Sequence, residues 1–329
     1  MSGVLRIVGI DGFGAGIIDT LVLNGARKKD CVLLTPDSTT ARESEAGKIV
    51  QVGEEELSEL GALDGREEPG ERVSGLKQRV EKAFDEAELL VIVGALGEKA
   101  STKLSLLAAS AASEIAATSV ALVSTPFDFE DAGRHDEAEV ALRRLGELVN
   151  STVVMANGDI TWRSCMNVRM TDMLNASSDI LANVVKGICD ITNSHGLINS
   201  DFSKVRTVLS QRGFSAVGIG KAEGENSLES ALYQAVTHPM LDLCDLSSAQ
   251  GLIVHVAAGP DFNIGQLESI DNLVGKIVGG NATVILGLRL DHRPANSVTA
   301  LLLGTGMATA KQSRLCSRFS CTLRFGMAF

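Results

Sequence analysis

The sequence predicts an α/β protein: a parallel sheet covered by helices on both faces, then one long helix, then a second α/β unit. Three observations carry that prediction. Runs that are apolar at nearly every position, such as LLVIVG (89–94) and SVALVSTP (119–126), have the pattern of strands buried on both faces. Stretches with apolar residues at helical spacing alternate with them, as in AGIIDTLVLNGA (15–26), STKLSLLAASAASEIAA (101–117) and GRHDEAEVALRRLGELV (133–149). Aromatics make up only 4% of the chain against 33 glycines, so packing rests on small aliphatic layers joined by tight turns.

Taken in order, strands are expected at VLRIVGI (4–10), DCVLLTP (30–36), KIVQVG (48–53), ELLVIVG (88–94), SVALVSTP (119–126) and STVVMAN (151–157). From about residue 172, Met173, Leu174, Ile180, Leu181, Val184, Val185, Ile188 and Ile191 keep helical spacing, which predicts one long central helix with Gly196 as its stop. The remainder gives four strands and two helices: GFSAVGIGKA, SLESALYQAVTHP, GLIVHVAAG, IGQLESIDNLVGKIV, NATVILGLRL and SVTALLLGTG. No internal repeat or low-complexity linker interrupts the chain.

Composition narrows the function. With 329 residues and 45% apolar content the chain can bury a large core. A formal charge of −11 repels nucleic acid and anionic lipid, so no nucleic-acid partner is expected. The acidic run EEELSELGALDGREEPGER (54–72) reads as a solvated surface loop region. Six cysteines without a CxxC pair, and a start that lacks the flanks of a secretory signal, point to the reducing cytoplasm. Five scattered histidines give a metal centre no support, and no apolar run reaches the roughly 18 residues that span a bilayer. The end of the chain departs from this balance: residues 308–329 carry Lys311, Arg314, Arg318 and Arg324 and no acid.

Ligands of parallel sheets bind at the carboxyl ends of the strands, and two glycine-bearing segments lie there. GIDGFGAGIIDTLV (9–22) follows the first strand, and Gly9, Gly12, Gly14 and Gly16 would let its backbone approach a phosphate at the start of the next helix. Ile17 stands where the third glycine of GxGxxG would be, and no GxxxxGK[ST] occurs, so neither a dinucleotide loop nor a P-loop is matched. A plain strand-to-helix turn remains open from this loop alone. Asp37, which ends CVLLTPD, would be the ribose-binding acid of a competing NAD-type oxidoreductase. The second segment, GALGEKASTK (94–103), sits between an apolar strand and an alanine-rich helix, where a phosphate loop belongs, yet Glu98 and Lys99 occupy its middle.

Four segments together resemble the tubulin/FtsZ superfamily, and FtsZ in particular: GIDGFGAG, STPFDFEDAGRHDEA, NASSDILANVVKGICDI and HGLINSDFSKVRTVLSQRGFSAVGIGKA. The match runs from about residue 4 to 307. The resemblance implies a Rossmann-like GTPase domain (1–171), a central helix (172–195), a C-terminal activation and polymerisation domain (196–307) and a basic tail (308–329). It also implies GTP or GDP, with Mg2+, as ligand, and a head-to-tail homo-polymer or a co-polymer with an FtsZ. A division protein or membrane anchor would be the partner of the tail, through Leu315, Phe319, Leu323 and Phe325. A disordered tail is the plainer alternative. In the family, hydrolysis belongs to the filament, because a carboxylate from one subunit enters the nucleotide site of the next.

Carried over residue by residue, the resemblance puts Gly12, Gly14, Gly16, Gly97 and Thr102 at phosphate positions, and Glu130 and Arg134 at ribose and phosphate. Asn157 falls at the base, and Asp179 at the guanine-reading carboxylate. A carboxylate accepts two donors from guanine and none from adenine, which favours GTP; the plainer reading of Asp179 is a solvent-facing helix residue. Asn199 and Asp201 fall in the catalytic loop, with Lys204 in place of its second Asp.

Several departures follow the same alignment. Leu174 replaces a stacking Phe, Ser178 replaces an Asn, Asp11 and Phe13 interrupt the first loop, and Gly16 replaces an Asn. The family's GGGTGTG becomes GEKASTK. Glu98 about 4 Å from a phosphate would cost on the order of 4 kcal/mol per charge pair at an effective dielectric near 20, with Lys99 and Lys103 placed to offset it. Lys204 cannot be a general base at neutral pH. For Asp201 the plainer role is capping the helix that follows. The expectation is an FtsZ-like protein with weak nucleotide binding and slow or lost GTPase activity, or a non-enzymatic FtsZ paralogue that modulates an active filament.

Overall fold

A computed structural model of the chain describes residues 3–60, 71–157, 169–192, 198, 200–242, 245–277 and 282–307. The expected stop at Gly196, the catalytic-loop Asn199 and the basic tail 308–329 lie outside these residues. Among them, ten strands form one sheet in the order β3-β2-β1-β4-β5-β6-β7-β10-β8-β9.

The first six strands are β1 (Leu5–Ile10), β2 (Cys31–Thr35), β3 (Lys48–Gln51), β4 (Leu89–Ala95), β5 (Thr118–Thr125) and β6 (Ser151–Ala156), all in parallel. Their apolar runs are double-sided because both sheet faces are covered. Ile7, Leu33, Val91 and Leu122 point into one core, while Val8, Leu34, Ile92 and Val123 point into the other. The first core is closed by α1 (Asp11–Leu23), through Ala15, Ile17, Ile18 and Leu21. Helices α4 (Glu71–Phe84), α5 (Lys99–Glu114) and α6 (Ala132–Leu148) close the second.

Two short helices went unread in the sequence, and so did the 14-residue α4. Asp37 opens α2 (Ser38–Glu43): its carboxylate accepts hydrogen bonds from the Thr39 and Thr40 amides at 3.2 and 2.8 Å and from the Thr40 hydroxyl at 2.7 Å. These bonds hold its pKa below the usual carboxylate value. Asp37 is a helix cap, and a ribose-binding acid has no place there. The acidic run is likewise not a loop throughout, since it begins as α3 (Glu54–Glu59) and ends inside α4. Three of its glutamates are neutralised locally, with Glu55 and Glu59 on Arg72 and Glu56 on Arg79.

The long helix is α7 (Met170–Thr192). Leu181, Val184, Val185, Ile188 and Ile191 are buried in the same core as Ile7 and Val91 of the parallel strands and Ile253, Ile285 and Leu301 of the later ones. One helix therefore lies across both parts of the sheet. The later part comprises α8 (Phe202–Leu209), β7 (Gly213–Glu223), α9 (Ser227–Val236), α10 (Pro239–Asp242), β8 (Gly251–Ala258), α11 (Ile264–Ile277), β9 (Thr283–Leu290) and β10 (Ser297–Met307). Strand β10 runs antiparallel to both β7 and β8, while β8 and β9 are parallel. The two parts join where β6 pairs with β7 over only three residues, beside a buried Ser151–Ser215 hydroxyl contact of 2.6 Å.

A polar knot ties α7 to the later strands. Asp190 accepts a hydrogen bond from Arg289 at 2.7 Å, lies 3.6 Å from Lys186, and faces His255 Nε2 at 3.8 Å. His255 is 6% exposed and its Nε2 has no hydrogen-bond partner among the described residues. Burial pushes its pKa down to about 4, against a smaller upward pull from Asp190; Lys186, Arg289 and Arg293 add to the fall. The unfolded chain takes up this proton near pH 6.5 and the folded chain does not, so the contribution is complete above neutrality and is lost as pH falls from 6.5 toward 4. Between pH 7 and 5 the loss should be about 2 kcal/mol. Urea unfolding at pH 7, 6 and 5 should show His255→Gln losing less than half as much as the parent chain; parallel curves would clear His255 of the effect.

Candidate functional site

The parallel strand order 3-2-1-4-5-6 fixes where a ligand can enter. The chain winds away in opposite directions from β1 and β4, and the crevice at that switch point lies at the carboxyl ends of the strands. The two glycine-bearing loops are the ones that flank it. After β1 the chain turns at once into α1, with Asp11 in the left-handed region at φ 53° and its carboxylate accepting from the Thr35 hydroxyl at 2.9 Å. Gly14 is needed for packing: a Cβ there would lie 2.6 Å from the Gly9 backbone and 2.9 Å from the Val93 carbonyl. Gly12 and Gly16 instead face open space, which leaves the helix start free on its outer side.

After β4, Gly97 makes the turn at φ +97°, where a Cβ would strike Pro126 at 2.5 Å and the Arg134 carbonyl at 2.9 Å. Its amide donates to the Thr102 hydroxyl at 3.1 Å, and Ser101 donates to the Ala95 carbonyl at 2.6 Å. Glu98 then stands at the N-cap of α5 without capping through its side chain. The amides of Lys99, Ala100 and Ser101 precede the first intrahelical bond, which Thr102 donates to Glu98. This is the geometry of a phosphate cradle with its first amide already bonded internally.

The next loop supplies the acid and base beside it. Glu130 accepts from the Phe127 amide at 2.9 Å and from Arg134 one helical turn on. Arg134 also lies 3.6 Å from Glu98, so the cation expected at ribose and phosphate is held between two carboxylates. This pairing could have been read from the sequence only by knowing that the loops after β4 and β5 are neighbours. Lys103 does not offset Glu98: its ammonium donates to the Leu57 carbonyl at 2.9 Å, on the α3 side of the helix. Lys99 is exposed and has no ion pair among the described residues.

On the base side, Asn157 directly follows β6 and is 6% exposed, with its side-chain carbonyl accepting from the Ser177 hydroxyl at 2.6 Å. Ser177 had no assigned role in the sequence, yet it fixes this residue against α7. Asp179 lies two residues further along α7 and is exposed, and its carboxylate makes no hydrogen bond among the described residues.

Asp201 and Lys204 are at the other end of the sheet. A Cβ at Gly3, just before β1, would touch the Phe202 ring at 2.2 Å, and Arg206 of α8 pairs at 2.8 Å with Glu88, which precedes β4. The six residues of β1 therefore separate Asp201 from the glycine loops by about 20 Å at roughly 3.3 Å per residue. Asp201 starts α8 through its carbonyl, which accepts from the Lys204 and Val205 amides at 2.9 and 3.2 Å; its side chain makes no cap, contrary to the plainer sequence reading. Ile198 adds a two-bond antiparallel bridge to Leu288 on the outer edge of β9, which pins this loop to the later strands.

A Rossmann-like sheet, a long helix shared with a mixed sheet, and a second loop at the opposite pole define the tubulin-like fold class. Residues 213–308 match the FtsZ family, C-terminal domain. The cell division protein FtsZ of Wigglesworthia glossinidia brevipalpis is 29% identical over 94% of this chain and 81% of its own length. A solved mutant FtsZ from M. jannaschii is 26% identical with a TM-score of 0.81, covering 94% of this chain and 92% of its own. CetZ2 from Haloferax volcanii, 18% identical, shares the fold at a TM-score of 0.74 over 97% of this chain and 98% of its own. The chain belongs to the tubulin/FtsZ superfamily, as a divergent FtsZ-like protein.

The Gly97–Thr102 bond is buried, so its loss should register as stability. Thr102→Val keeps the shape and removes the acceptor, and should cost about 1–3 kcal/mol in urea unfolding; an unchanged midpoint would show that the Gly97 amide does not depend on it.

Proposed function

We propose that the chain is a cytoplasmic, FtsZ-like cytoskeletal protein of cell division that holds guanine nucleotide weakly, assembles head to tail, and hydrolyses GTP slowly or not at all. The observation that carries this reading is the separation of the two loops. Asp201 and Lys204 lie about 20 Å from the glycine loops of their own chain, so they can meet a nucleotide only in a neighbouring copy. The curated relatives are cell division proteins, and the CetZ2 neighbour was solved as a GTPγS-bound protofilament.

The residues fit a guanine nucleotide in part. The free amides at the start of α5 and the open faces of Gly12 and Gly16 suit phosphates, and Asp179 presents an acceptor-only group suited to guanine. Mg2+ would enter with the phosphates and supply charge neutralisation. Against tight binding stand the carboxylates of Glu98 and Asp11. Against turnover stands Lys204, since a cation cannot draw a proton from water. In this reading residues 1–171 form the nucleotide part, 172–195 the central helix, 196–307 the polymerisation part, and 308–329 a tail for a division-protein or membrane-anchor partner.

One observation favours the second reading, a paralogue that joins or modulates an active FtsZ filament without nucleotide. The Gly97 amide, Arg134 and Asn157, three groups expected to touch nucleotide, all have partners within the chain.

Titration of the purified protein with fluorescent GTP separates the two. Saturable binding in the micromolar range is expected, tightened about tenfold in Glu98→Gly, since exposure and the Arg134 pair screen most of the repulsion that is removed. Absence of binding at millimolar GTP in both proteins would leave only the second reading. Lys204→Asp restores the second carboxylate; if phosphate release still stays at background, the altered phosphate loop limits hydrolysis.

A further inference from the structure

The two departures with the largest chemical consequence stand at opposite poles of one molecule and carry opposite charges. At the switch-point pole, Glu98 projects from the start of α5 with 63% of its side chain exposed, sharing Arg134 at 3.6 Å with Glu130, and Lys99 beside it is exposed and unpaired among the described residues. At the other pole, Lys204 and Asp201 are exposed, three residues apart at the start of α8, and neither side chain makes a hydrogen bond or ion pair among the described residues. The nearby cation Arg206 is already matched by Glu88, which leaves Lys204 and Arg212 as the exposed cations of this pole without an ion pair among the described residues, and Lys204 is the one at the start of α8. Each pole therefore offers at least one acid and one base in reach of solvent, with Asp179 a further exposed carboxylate at the first.

We propose that consecutive copies of this chain dock pole to pole, with Lys204 of one copy on Glu98 of the next and Asp201 facing Lys99, so that assembly does not require nucleotide. The occupant of each pole is a second copy because the charges are complementary within one sequence. The chain's formal charge of −11 opposes indiscriminate self-association, so a local match of opposite charges decides which surfaces meet. Phe129, 56% exposed and stacked on Phe127 at 5.3 Å, gives the switch-point pole an apolar contact as well. Glu98 then supplies, as part of the protein, the negative charge that a terminal phosphate would present to the incoming loop. A bound triphosphate would compete with Glu98 for Lys204 rather than create the contact.

The inference rests on the head-to-tail reading above, and one experiment tests the two separately. Nucleotide-stripped protein in chelator is pelleted and followed by light scattering, then again with GTP and Mg2+. The parent chain should assemble in both conditions, with assembly weakened at about 0.5 M salt. Lys204→Glu and Glu98→Lys should each raise the critical concentration about tenfold, and the double exchange Lys204→Glu with Glu98→Lys should return it to within about threefold of the parent. Both sites are exposed, and circular dichroism would verify that each variant is folded. Assembly that appears only with GTP, or a double exchange no better than the single ones, overturns the charge pairing and leaves head-to-tail assembly standing. No assembly in either condition removes both.

Discussion

The apolar face of α7 is buried under two parts of the sheet at once, and the positions of both poles follow from that burial. Leu181, Val184, Val185, Ile188 and Ile191 share one core with β1 and β4 on one side and with β8, β9 and β10 on the other. Burying five such side chains is worth on the order of 10 kcal/mol, comparable to the whole stability of a domain. The Asp190–Arg289 bond adds direction to this non-directional attraction, since a charged pair in a buried setting fixes the helix along its axis. Breaking the alignment of α7 would shift Asp179 at one pole and the loop before α8 at the other.

The two poles are chemically unlike because they serve the strands differently. At the carboxyl ends, free helix amides favour anions, and this chain places a carboxylate, Glu98, among them. Arg134 responds by bridging Glu98 and Glu130, an arrangement that satisfies charge locally and leaves less for a ligand. At the amino ends, α8 is pinned through Phe202, the Arg206–Glu88 pair and the Ile198–Leu288 bridge, so the loop bearing Asp201 is held by its backbone while its side chains stay exposed. The same scaffold that would present a catalytic acid to a neighbour here presents an acid and a base.

Much of the fold was legible in the sequence because fully apolar strands and amphipathic helices have unmistakable periods. The six parallel strands, α1, α5, α6 and the central helix fall where the pattern puts them, and so do the four later strands. The short helices α2 and α3 escaped because one and a half turns of polar residues carry no apolar period; their caps, Asp37 and the Glu56 contact with the Gly53 amide, were the available signal. Asp37 also shows how a lone acid after a strand misleads, since a cap and a ribose ligand ask for the same residue.

By itself the sequence determined the fold class, the order of the elements, the superfamily and the identity of the altered loop residues, because these depend on local period and on motifs contiguous in the chain. Only the tertiary structure decided which groups are already occupied. That Arg134 lies between Glu98 and Glu130, that Ser177 holds Asn157, that Lys103 turns away to Leu57, and that Lys204 stands a full strand length from Glu98 all depend on residues far apart in sequence. Such pairings are set by how sheets and helices stack, and a one-dimensional pattern carries no record of distance across a sheet.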